Sequence, residues 1–248
     1  MKLSAIIVAG TLAVAATPLQ AQDAATPVPA AVATEATAAM ATDANAQQCE
    51  LHIWPTENYL GLNTGLLSGF GAIGAVADMA AHEGRVKTVK DHMKDYLGPD
   101  IQIEELNKAD VLGKLKLANY KIVVEPANPS YDENKKNPEI KAYLKGLDAK
   151  IKSGDRLSTS KSTCYAELVT TNIFYHKAMM YGSNLFVGFV FRDFGDKPKA
   201  TFKAAGAVKN PLEHFPPKTE ADIDAAKAEL RDAYSKDFLE YVEKKVKR

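Results

Sequence analysis

The sequence predicts an α+β (or α/β) fold, a mixed and mostly antiparallel sheet with helices packed on one face and one disulfide. Three observations predict it. Two long runs rich in Val, Thr, Ile, Phe and Tyr, from Thr163 to His176 and from Leu185 to Phe194, stand a short connection apart and read as a hairpin. Several segments repeat apolar residues at helical spacing and end on glycine or proline. The only two cysteines, Cys49 and Cys164, are expected to be bonded to each other.

The elements follow in order. Cys49, Leu51 and Ile53 alternate with Glu50, His52 and Trp54 before Pro55, which predicts a strand ended by proline. Val86, Val89, Met93, Tyr96 and Leu97 recur at helical spacing, and Gly98-Pro99 stops the pattern. A short amphipathic piece surrounds Val111, Leu112 and Leu115. The β-branched run from Tyr120 to Glu125, closed by Pro126, predicts a strand.

Asn137-Pro138 supplies a cap and a first-turn proline for a helix whose face is lined by Ile140, Tyr143, Leu144, Leu147 and Ile151 and which ends before Gly154. This helix is the expected crossover into the hairpin. A further strand is predicted from Ala200 to Val208, after the turn residues Gly195, Asp196 and Pro198. Thr219 and Asp222 open a last helix with a stripe of Ile223, Ala226, Leu230, Tyr234, Phe238 and Tyr241.

The front end carries an address. Met1-Lys2-Leu3, the apolar stretch from Ala5 to Ala16 and Pro18-Leu19-Gln20-Ala21 have the order of a cleavable secretory signal, with cleavage expected after Ala21. Residues 22–48 are almost all Ala, Thr, Pro, Val, Gln and Asp, a composition too poor in apolar surface to offset the entropy of ordering, so a disordered linker is expected. That leaves residues 49–248 as a single globular domain and implies a periplasmic location. In an exported chain two thiols tend to oxidise. A bond across the 115-residue separation is worth about 4 to 5 kcal/mol in the chain-entropy model. A reactive thiol needs a base beside it, and neither Cys-X-X-Cys nor a local Cys-His pair is present.

Charge limits the partners. The chain has 31 Lys and Arg against 31 Asp and Glu, and Lys2 is the sole charge ahead of Asp23, so signal removal leaves a net of −1. Such a balance offers no field to a phosphate backbone, and nucleic acid is not an expected partner. No transmembrane helix is expected after cleavage. Another envelope protein or the membrane surface is the expected partner.

The motifs favour binding over catalysis. Gly69-Phe70-Gly71-Ala72-Ile73-Gly74 matches G-x-G-x-x-G, but the nearest expected strand ends at Pro55, too far upstream for a dinucleotide loop, and no cofactor is expected. Gly61, Gly65 and Gly69 recur every fourth residue and would share one face of a helix. The uncharged run from Gly65 to Ala77 is too short to span a bilayer. It is either buried or a docking surface, in which case Leu66, Leu67, Phe70 and Ile73 contact the partner. The five histidines lack metal-site spacing, and no metal is expected. No G-x-S-x-G elbow is present. The rival expectation is a secreted hydrolase using Glu167, Asp193 and His176 on the hairpin, with the two carboxylates facing one another as an acid/base pair. The cationic end from Lys244 to Arg248 suits a helix C-terminus.

Overall fold

The computed structural model describes residues 48–64, 88–178 and 182–247. The signal, nearly all of the linker, the G-x-G-x-x-G motif and the docking candidates Leu66, Leu67, Phe70 and Ile73 lie outside them. The strands are β1 (Cys49–Trp54), β2 (Tyr59–Thr64), β3 (Tyr120–Val124), β4 (Tyr165–Ala178), β5 (Gly182–Gly195) and β6 (Phe202–Leu212). The helices are α1 (88–96), α2 (Pro99–Lys108), α3 (Val111–Lys114), α4 (Pro138–Ser153) and α5 (Ile223–Lys245). Among these helices none is long and apolar enough to cross a membrane.

The sheet is mixed, in the order β3-β1-β4-β5-β6, with β2 also paired to β4. Its long ladders, β4 with β5 and β5 with β6, are antiparallel, while β1 runs parallel to both β3 and β4. Reaching β4 from β3 means passing over β1, and α4 makes that crossover. The fold class is α+β, and the predicted disulfide is formed: Cys49 and Cys164 have Cα atoms 4.7 Å apart and tie the start of β1 to the entry of β4.

Two strands depart from simple alternation at one level of the sheet. Ala166 and Leu168 face the main core, and so do Ile173 and Tyr175, which have the opposite parity. A β-bulge between Thr170 and Asn172 absorbs the extra residue and restores the phase. Beside it, β1 stops at Trp54 and β2 resumes at Tyr59. The buried Gln102 of α2 closes that gap: its Oε1 accepts from the Thr56 N–H at 2.9 Å, and its Nε2 donates to the Thr56 carbonyl at 2.8 Å and to the Leu97 carbonyl at 3.1 Å. The backbone polar groups at the break are thus paired.

The main core lies between the sheet and α1, α2, α3 and α5. Leu51, Ile53, Leu168, Val187, Phe189 and Phe191 meet Met93, Leu106, Leu230, Tyr234, Phe238 and Tyr241 there. Thr219 and Asp222 form the expected capping box ahead of α5. The other face is thinner. Trp54, Val169 and Val190 form a small cluster under Ile151 of α4 and Leu157.

Some expectations need correction. Gly98-Pro99 does not only end α1, because Pro99 starts α2 at a position where a missing N–H costs nothing. Strand β2 was not predicted, and it places Gly61 in a strand, so Gly61 shares no helix face with the glycines that follow. It also ends at Thr64, which removes the distance from Pro55 as an objection to the glycine motif. β6 runs on through Pro211 to Leu212, beyond the expected Val208, since an edge strand tolerates a residue without an N–H. The predicted face of α4 is only partly covered: no residue of α4 is buried, and Tyr143 is exposed.

Candidate functional site

The second sheet face, under α4 and the loop that follows it, gathers the polar side chains. Glu50, His52, Tyr165, Glu167 and Arg192 stand there on adjacent strands, because β1 pairs with β4 and Glu167 lies opposite Arg192 in the β4–β5 register. Glu167 and Arg192 are both fully buried and form an ion pair.

Their remaining polar atoms are largely occupied. Glu167 Oε1 accepts from the Leu157 N–H at 2.7 Å and from the Tyr165 hydroxyl at 2.6 Å. Arg192 donates to the Lys150 carbonyl at the end of α4, 3.0 Å away, while its Nε has no partner. Burial, and after it the Glu167 carboxylate, pushes the Tyr165 hydroxyl well above its ordinary pKa. The chemical work of the group is to hold the loop from Gly154 to Thr163 on the sheet.

His52, buried against Tyr165, has a carboxylate on each side. Its Nδ1 is 2.6 Å from Glu125 and its Nε2 is 3.0 Å from Glu50. A carboxylate oxygen lies within hydrogen-bond distance of each ring nitrogen, so His52 presents no free nitrogen as a base. Glu50 also accepts from the Ser160 hydroxyl, and this bond, with that of His52 second, holds its carboxyl below the usual range. The order is serine, carboxylate, imidazole, carboxylate. In a nucleophilic triad the hydroxyl meets the imidazole, and here it does not.

The hairpin candidates are not brought together. Glu167 pairs with Arg192, so Asp193 is one residue out of step and points to the opposite sheet face, where its carboxylate accepts from the Gly195 N–H at 2.8 Å. His176 shares the face of Glu167 beyond the bulge but lies nine positions further along β4, about 30 Å away at ~3.3 Å per residue, stacked on Phe174. The expected acid/base pair does not form. Among the described residues no three His, Cys, Asp or Glu side chains converge as metal ligands.

Beside the network an open cleft of about 500 Å³ is lined by Arg156, Lys161, Asp196 and Lys197 with Ser162, Thr163 and Pro198. Arg156 lies over the Tyr165 ring at 4.4 Å and donates to the carbonyls of Ser162 at 2.9 Å and Ser160 at 3.3 Å. Its guanidinium fixes the loop and gives the cleft wall a positive charge.

No known protein family matches the chain, and no curated protein is similar to it. Sequence reasoning missed Arg192, Gln102 and the pairing of His52 with Glu50 and Glu125. His52 had a signal: it alternates with Leu51 and Ile53 and so faces away from the core beside Glu50. Arg192 had none, because its partner depends on the hairpin register.

Proposed function

We propose that the protein is exported to the bacterial periplasm and serves there as a non-catalytic binding or assembly protein of the cell envelope. The disulfide between Cys49 and Cys164 carries this reading, since disulfides form and persist in oxidising compartments. The N-terminal signal pattern agrees with it. On the same reading residues 22–48 are a linker, and residues 49–248 fold as one domain.

Binding is favoured over catalysis by where the chemistry-bearing side chains are. Glu167, Arg192 and Tyr165 are buried and bonded to one another or to backbone, and the buried His52 lies between Glu50 and Glu125, so a substrate would find them engaged. The partner is taken to be another envelope protein or the membrane surface, met through Leu66, Leu67, Phe70 and Ile73 of the uncharged run. A Phe70→Asp substitution tests the contact. Crosslinking in isolated periplasm should capture a partner with the parent chain and lose it with the variant at equal abundance. Equal capture by both, or recovery of the chain from the cytosol with free thiols, would overturn the proposal.

A further inference from the structure

Among the described residues β3 is one edge of the sheet, with β6 at the other. Among the described residues β3 pairs with β1 alone and ends the strand order. The Glu125 N–H donates to the Ile53 carbonyl at 2.9 Å, which fixes the phase: residues 121, 123 and 125 turn their backbone groups toward β1, and Ile122 and Val124 turn theirs outward. An edge with outward N–H and C=O groups is a template for another strand. The edge carries an exposed apolar side chain too. Val124 is 54% exposed, and Tyr131 and Tyr143 in the chain that follows β3 are exposed as well.

We propose that this edge pairs with the same edge of a second copy, antiparallel about a twofold axis at Val123. The strand is self-complementary in that register. Lys121 falls opposite the Glu125 of the second copy and Glu125 opposite its Lys121, so both charge pairs have opposite sign. Ile122 falls opposite Val124, which covers the exposed valine. The same register joins the outward backbone groups, because Ile122 and Val124 then form the hydrogen-bonded pairs and Val123 meets Val123 in the close, non-hydrogen-bonded position. A shift by one residue would break the charge pairs and leave the outward N–H groups unmatched. Five residues of strand bury too little for a lasting interface, so the dimer is a modest one. Isologous pairing of this kind closes after two copies.

The test uses the purified mature protein. Sedimentation velocity should show a monomer–dimer equilibrium, and Lys121→Glu should weaken it about tenfold at low salt, since two attractive pairs become repulsive. Val123→Cys places two thiols at the close position, where facing Cβ atoms are about 4.5 to 5.5 Å apart, and should oxidise to a covalent dimer. Ile122→Cys faces residue 124 rather than itself and should not. A chain that stays monomeric at hundreds of micromolar overturns the proposal. So does a dimer indifferent to Lys121→Glu, or equal crosslinking of the two cysteine variants. None of these results bears on export or on the contact made by Phe70.

Discussion

Replacing Asp237 by asparagine should make the protein more stable, and increasingly so as the pH rises. Asp237 lies fully buried on α5, where its Oδ1 accepts from the Asn210 side chain at 2.7 Å and its Oδ2 has no partner. Burial, with the charge of Glu240 adding to it against the hydrogen bond from Asn210, pushes its carboxyl up to about 8. In the unfolded chain an aspartate titrates near 4. Between those values the native state holds a proton that the unfolded state has released, so stability falls as the pH climbs. The contribution is fully present below about pH 4 and is lost by the time the pH passes about 8.

At about 1.4 kcal/mol for each pH unit, the loss over the whole interval is about 6 kcal/mol, and about 3 kcal/mol of it falls between pH 5.5 and 8. Asparagine keeps the acceptor for Asn210, has the shape of the protonated acid and does not titrate. Urea unfolding of both proteins at pH 5.5, 7 and 8.5 isolates the effect, because every other titrating group is shared. The stability gap in favour of Asp237→Asn should widen by about 3 kcal/mol from the lowest pH to the highest. A gap that does not change with pH, or a variant less stable than its parent at pH 8.5, would refute the assignment of a buried neutral carboxyl.

Two further perturbations probe the second face and the break in the sheet. Arg192→Met leaves Glu167 buried without its cation and should cost about 3 to 5 kcal/mol in urea unfolding, whereas adding Glu167→Leu to it should recover much of that loss. Gln102→Leu keeps the volume but strands the Thr56 N–H and carbonyl, and should cost about 2 to 5 kcal/mol, with faster amide exchange at Thr56.

Much of the fold was legible because local chemistry and tertiary structure agree there. The alternation in Cys49–Trp54, the β-branched hairpin runs, the Asn137 cap of α4 and the capping box at Thr219 each name their element, and two cysteines in an exported pattern leave one pairing. β2 was illegible because only Tyr59 is buried among residues 59–62, so no period shows there, and its Gly61 joined a glycine spacing that reads as helical. α2 was hidden by Pro99, which serves both to stop one helix and to start the next.

The polar face was less legible than the fold. Glu167 was expected to face Asp193, and the register sets it opposite Arg192; a difference of one position turns an acid/base pair into a buried ion pair. Nothing local to either strand fixes that register, since it follows from the three-residue connection and the bulge at Thr171. Gln102 is similar. Its role exists only because β1 and β2 break beside it.

Mass spectrometry of the protein from cells tests the account most directly, with free thiols blocked at lysis. An exported, disulfide-bonded chain predicts a mature N-terminus at Gln22, a Cys49 to Cys164 crosslinked peptide and recovery from the periplasmic fraction. A cytosolic chain that keeps Met1 and carries two blocked, reduced cysteines would contradict it.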